Sequence, residues 1–284
     1  MRPTYVALTA GVALLSSCMF FRSLSDLSSE SGGGVGPAGE DAAKATDARP
    51  AVDGSADAPT TPWPDAGSDG PAVLLGGPSL CDAGTWLLCD GFEGASLGAP
   101  WYTPPTAFPD TARAARGAGA LHVHLDAGVT SAPSYVAAPI AFAKPWQSTF
   151  ARVFLYAPGG QPLPNTGMLY FYFNGAGYPG ADVASLGDGR FLLRAPPNYA
   201  GAPSALAIPR DRWACLEMEI APDDAGIGTV RAWLDTEPFD VSLGGVPTTQ
   251  IDTLQVGVQA TTTANLDLWF DEIAVDTKRI GCAR

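Results

Sequence analysis

The chain has 284 residues, of which 46% are hydrophobic and 16% charged, and its 16 Lys plus Arg against 29 Asp plus Glu give a net charge of −13. That length allows one substantial domain with extensions, and that apolar fraction is enough to bury a core. The acidic balance argues against nucleic acid as a partner, because phosphate backbones are held by clustered Lys and Arg and no basic patch appears.

The N-terminus reads as a targeting segment. Arg2 precedes an apolar run over 5–15, which has signal-peptide length and is too short to span a membrane as a helix. Leu15, Ser16, Ser17 and Cys18 then resemble the lipobox of bacterial lipoproteins, an aliphatic residue and two small ones before a cysteine. The resemblance implies cleavage after residue 17 and acylation of Cys18. Several acyl chains hold a soluble domain at a bilayer where one chain binds only reversibly. In such proteins Asp after the cysteine is the usual inner-membrane retention signal. Met19 stands there, which implies the outer membrane or cell surface, with the lipid anchor as the membrane contact.

The stretch 18–78 is rich in Ser, Gly, Ala, Asp and Pro, with nine acids and three bases over 19–78. It has too few large apolar residues to offset its chain entropy, so it reads as a disordered, extended tether. The globular domain begins at 79 and runs to 284. Its first strand lies around Leu87 to Phe92. Residues 119–126 alternate cleanly, with Leu121, Val123 and Leu125 on one face and His122 and His124 on the other. Strands follow over 148–157, 168–174 and 190–195. A hairpin occupies 211–235, and further strands lie over 252–259 and 265–275. Short strands between Gly, Pro, Asn and Asp turns, with no amphipathic helix, predict an all-β, two-sheet antiparallel β-sandwich or jelly roll. No internal repeat is visible.

The hairpin is the candidate working element. Ala214, Leu216, Met218 and Ile220 share one face of its first strand, opposite Trp213, Cys215, Glu217 and Glu219. Antiparallel pairing with the second strand, in which Val230, Ala232 and Leu234 alternate with Arg231, Trp233 and Asp235, would gather Glu217, Glu219, Arg231 and Trp233 on one surface. Leaving Cys18 aside, four cysteines in an exported chain suggest two disulfides. Of three connectivities, Cys81–Cys89 with Cys215–Cys282 is favoured, the first closing a short loop and the second stapling the chain end to the hairpin. A zinc site is the weaker reading, since no CxxC spacing occurs.

Several short motifs recur together: LCDGFEG over 88–94 followed by Trp101, Trp213-x-Cys215-x-Glu217, Trp233-Leu234-Asp235, LWFDEIAV over 268–275, and Ile280-Gly281-Cys282. This set resembles the concanavalin A-like lectin/glucanase superfamily, in particular laminin-G-like and polysaccharide-lyase-like jelly rolls on bacterial lipoproteins, over 80–282. The resemblance implies adjacent first and last strands and a concave, often sugar-binding sheet bearing Glu217, Glu219, Arg231 and Trp233. It also implies a structural Ca2+ where those strands meet, held here by Glu93 and Asp271, both hard oxygen donors. No cofactor is required.

Glu217 and Glu219, two apart on one strand face, have roughly the ~5–5.5 Å carboxylate spacing of retaining glycosidases. Laminarinase-type members carry Glu-x-Asp-x-x-Glu there; this chain has Glu219 for the Asp and Pro222 for the last acid, which removes the acid/base. Pairing of the glutamates with Arg231 across the ladder is the plainer reading. Trp233 offers a stacking platform for a sugar ring, Tyr170 and Tyr172 could extend a groove, and Arg194 or Arg152 could contact acidic sugars. His122 and His124 lack a further ligand marked by local spacing and read as a polar solvated face. No Gly-x-Ser-x-Gly elbow or phosphate-cradling loop appears. The expectation is noncatalytic binding of a polysaccharide or other glycan. A glycan-degrading hydrolase or lyase using Glu217 and Glu219, or an adhesion or scaffold domain binding protein, are the alternatives.

Overall fold

The computed structural model describes residues 75–102, 106–128, 134–140, 147–172, 180–195, 201, 203–222, 227–239, 243–247, 252–258 and 264–283, all within one compact unit, Thr61–Arg284. Cys18, the 1–17 leader and nearly all of the 18–78 tether lie outside the described residues. The described residues form a 3-10 turn (Leu80–Ala83) and fifteen strands, with no α-helix among them. The strands are β1 (Leu88–Asp90), β2 (Ala107–Asp110), β3 (Ala120–Leu125), β4 (Ser134–Pro139), β5 (Thr149–Tyr156), β6 (Thr166–Tyr172), β7 (Asp182–Ser185) and β8 (Arg190–Arg194). They continue as β9 (Pro203–Ala207), β10 (Trp213–Pro222), β11 (Ile227–Leu234), β12 (Glu237–Pro238), β13 (Leu243–Pro247), β14 (Thr253–Val258) and β15 (Leu266–Asp276).

Two antiparallel sheets make a sandwich. The nine-stranded sheet runs β12-β11-β10-β5-β15-β3-β2, with β1 on β15 and β13 on β11. The six-stranded sheet runs β4-β14-β6-β7-β8-β9. The first strand lies beside the last, Cys89 opposite Ala274. Alternation sets the core: Leu121, Val123 and Leu125 of β3, and Ala214, Leu216, Met218 and Ile220 of β10, are buried against Leu169, Val183, Leu193, Leu254 and Val256 of the other sheet. Each such aliphatic side chain contributes about 1.5–3 kcal/mol on burial.

Strands β2, β4, β7, β9, β12 and β13 were not expected from the sequence. They are short and rich in Pro, Ala, Ser and Gly, residues of low strand propensity, and their partners hold them. Gly257 in β14 has φ +133, and a Cβ there would stand 2.3 Å from the Ser134 carbonyl oxygen, so β4 and β14 can approach only at a glycine.

Strand β5 is buried at all eight positions. A strand covered on one side would alternate; this one has a second cover. The outer face of the nine-stranded sheet is overlaid by the segment around the 3-10 turn and by the chain end. Leu80 and Cys282 pack with Phe154, Tyr156, Trp213 and Trp269, and Ile280 packs with Phe150 and Trp233. Disulfides Cys81–Cys89 and Cys215–Cys282 fix both covers.

Candidate functional site

The hairpin pairs as expected, with Glu217 opposite Trp233 and Glu219 opposite Arg231, so all four residues share one face. That face is not an open wall. The Glu217 side chain is 1% exposed; its Oε1 accepts the N–H groups of Ile280 at 2.8 Å and Gly281 at 3.0 Å, and its Oε2 accepts Arg279 Nε at 3.2 Å. Arg279 also lies over the Trp233 ring, 4.5 Å from its centroid. Glu217 is therefore a bracket for the chain end, and Trp233 packs beneath that end instead of offering a platform. Glu219 pairs with Arg231 at 3.1 Å. Burial raises the Glu219 pKa and the Arg231 hydrogen bond opposes that rise. Neither carboxylate is placed to act on a glycosidic bond as an acid/nucleophile pair.

Arg152 is fully buried. Its Nε donates to the Glu272 carbonyl and its Nη1 to the Gly281 carbonyl, both at 3.3 Å, and burial lowers its pKa to about 10. It cannot reach a sugar from there. The other motif carboxylates likewise bind backbone. Asp90 accepts Phe92 N–H at 2.7 Å as well as the Trp101 indole N–H at 2.6 Å, Asp235 accepts Cys215 N–H at 2.8 Å, and Glu272 accepts Leu80 N–H at 2.8 Å. Asp271 accepts N–H groups of Ala115 at 2.8 Å, Arg116 at 3.1 Å and Glu272 at 2.7 Å; burial nonetheless pushes its pKa up to about 7. Glu93 accepts Ala118 N–H at 2.6 Å. Both Asp271 oxygens and Glu93 Oε2 already accept backbone N–H groups, so a Ca2+ bound there would compete with these donors.

The remaining expected residues meet elsewhere. Ala137, Gln255, Tyr170, Asp182 and Arg194 stand opposite one another in register across β4, β14, β6, β7 and β8, one continuous row over the six-stranded sheet. Tyr172 holds the next like position, opposite Thr253, and Tyr135 stands opposite Gly257. The core side of this sheet is taken by Leu169, Val183, Leu193 and Val256, so by alternation Gln255, Asp182 and Arg194 belong to the outer face, where Gln255 and Asp182 are buried. Asp182 is fully buried under Arg194, which grips it through two nitrogens, Nε–Oδ1 at 2.9 Å and Nη2 on Oδ2. Burial pushes the Asp182 carboxyl up, and the Arg194 hydrogen bond pulls it down. A bidentate pair of this kind fixes the guanidinium plane, while 23% of the Arg194 side chain remains exposed. Tyr170, Tyr172 and Arg194 stand out in the sequence, whereas Gln255, Tyr135 and Asp182 come beside them only through strand order.

No family model matches the chain, and no curated protein matches it in sequence. Solved structures do match. A cellulose-induced protein, Cip1, superimposes with a TM-score of 0.53 at 17% identity, over 69% of this chain and 100% of that one. The PL-14 alginate lyase from Aplysia kurodai superimposes with a TM-score of 0.51 at 10% identity, over 69% and 100%. The fold is a jelly-roll β-sandwich. At these identities the likeness extends to the fold and no further.

Proposed function

We propose that this chain is a glycan-binding protein that engages a polyuronate across the outer face of the six-stranded sheet. The observation that supports this best is the registered row Gln255–Tyr170–Asp182–Arg194. It holds the partly exposed Arg194 cation in a fixed plane over the buried Asp182, in register with Gln255 and Tyr170, which suits a sugar ring bearing a carboxylate. That Cip1 is cellulose-induced and the Aplysia protein acts on alginate supports a carbohydrate ligand for this sandwich.

Isothermal titration of the purified full chain with polyuronate and neutral β-glucan oligosaccharides tests the proposal. Arg194→Gln combined with Asp182→Asn, which avoids a lone buried carboxylate, should weaken uronate binding by about 10–100-fold, the worth of one charge-assisted contact. Unchanged uronate affinity in that double variant, or equal affinity for neutral glucans, would overturn it.

Cleavage is the second reading, favoured by Tyr170 in the same register as Arg194. β-Elimination at a uronate needs a neutralised carboxylate and a group to take the adjacent proton, and arginine and tyrosine are of those types. Ultraviolet absorbance from unsaturated product separates the two readings, because binding without catalysis yields none.

The proposal also places the domain at the cell envelope, held by acyl chains on Cys18. Among the described residues no helix is long and apolar enough to cross a membrane. Radiolabelled palmitate should label the wild type, and equal labelling of Cys18→Ala would refute the anchor.

A further inference from the structure

On the outer face of the nine-stranded sheet, away from the glycan row, lies a second polar cluster. In register Asp267 stands opposite His124, and Trp269 opposite His122. Asp267 Oδ1 lies 2.9 Å from His122 Nε2 and 2.7 Å from His124 Nδ1. The three atoms are all within 4.8 Å of one another.

We propose that His122, His124 and Asp267 bind one divalent transition-metal ion. Two imidazoles and a carboxylate are the donor set of such ions rather than of Ca2+ or Mg2+. With bonds of about 2.0–2.1 Å, ligand atoms in a tetrahedral shell lie about 3.3 Å apart. The two observed N–O separations need only a few tenths of an ångström of expansion, within the reach of small side-chain rotations. With three protein ligands, the fourth position falls to water or to a ligand oxygen. It faces solvent, since the His124 and Asp267 side chains are 39% and 33% exposed.

The surroundings support the site independently of the ligand atoms. A ring nitrogen that binds metal must lose its proton, and the proton of a neutral imidazole then sits on the other nitrogen. Both outer nitrogens have an acceptor waiting. His122 Nδ1 lies 3.4 Å from Asp110 Oδ2, and His124 Nε2 lies 3.3 Å from Asp126 Oδ1. Each imidazole therefore has a carboxylate on both sides, the outer one in the place from which carboxylates orient metal-bound histidines. Asp110 is itself held by the Trp269 indole N–H at 3.1 Å, and Trp269 stacks on the His122 ring at 4.3 Å and 6°, which fixes the ring plane. The charged groups here are Asp110, Asp126 and Asp267 against Arg113, which lies over the Tyr156 and Trp269 rings, so the local balance favours a dication. Protons compete for the same lone pairs. Affinity therefore falls as the pH drops.

The experiment uses chelator-stripped full-length protein, titrated with Zn2+ by calorimetry and with Co2+ by visible absorption. The expected result is one ion per chain, visible bands of four-coordinate cobalt, and a rise in Tm with Zn2+. His124→Gln and Asp267→Asn should abolish the bands. Asp126→Asn, at a 75% exposed side chain where folding is not at stake, should weaken binding about 10-fold or more. Absence of one-to-one binding, or bands that persist in His124→Gln with Asp126→Asn unaffected, would overturn the assignment.

Discussion

Replacing Glu217 separates a structural carboxylate from a catalytic one. Glu217→Ala leaves the N–H groups of Ile280 and Gly281 without their acceptor, in a region where Ile280 is 2% exposed. Each unsatisfied buried donor costs about 1–3 kcal/mol. The lost pair with Arg279 adds little, because that arginine is partly exposed. The sum is about 3 kcal/mol, and for a domain of this size each kcal/mol lowers Tm by about 2–4 °C, giving a fall of about 6–12 °C. Glu217→Gln keeps an oxygen acceptor and should lose less than half as much. Thermal unfolding measures this, and limited proteolysis should show the chain end released first in Glu217→Ala. Polyuronate binding, measured well below the new Tm, should be unchanged. A Glu217→Ala protein with wild-type Tm that has lost glycan binding or cleavage would refute the bracket and restore the carboxylate to a working site.

The two disulfides should differ in weight. Cys215–Cys282 closes a loop of 67 residues and Cys81–Cys89 one of 8, so chain entropy assigns about 4 kcal/mol to the first and about 2.5 kcal/mol to the second. Cys282→Ser should therefore lower the denaturant midpoint more than Cys81→Ser, and the reverse order would contradict this. Stability should also depend on Asp271. Its pKa is up from 3.8 to about 7, so between those values the folded chain holds a proton that the unfolded chain has released, and stability falls as pH rises from about 4 to about 7. The slope from this group alone approaches about 1.4 kcal/mol per pH unit, and Asp182, Glu219 and Glu272, also raised, act in the same direction. Asp271→Asn should flatten the Tm–pH profile; an unaltered slope would remove Asp271 as its source.

Alternation of side chains made the sandwich readable from sequence, because period-2 faces depend only on neighbours along one strand. Leu121, Val123 and Leu125 point inward and Ala214, Leu216, Met218 and Ile220 line the core for that reason. What lay over the other face was not readable. Glu217 looks like half of a catalytic pair until residues 279–281, more than sixty positions away, close over it. The motifs that suggested a family prove to be the joints of the scaffold: Trp-x-Cys-x-Glu and Ile-Gly-Cys are two halves of one fastening, and the Asp of LCDGFEG holds Trp101. Arg194 and the tyrosines could be named from sequence, but their grouping with Gln255 and Asp182 depends on a strand order that no local pattern encodes. The same holds for Asp267, the third member of the histidine cluster, which reaches His122 and His124 only because β15 pairs with β3.

Both described ends of the domain are pinned to the back of the larger sheet, one through Cys81 and the other through Cys282. A dye or support attached close to Cys81 or Cys282 thus meets the molecule from behind. In a biosensor experiment, attachment at either of these points leaves the smaller sheet turned toward the flowing sample, so the proposed polymer can reach that sheet without steering around the point of attachment.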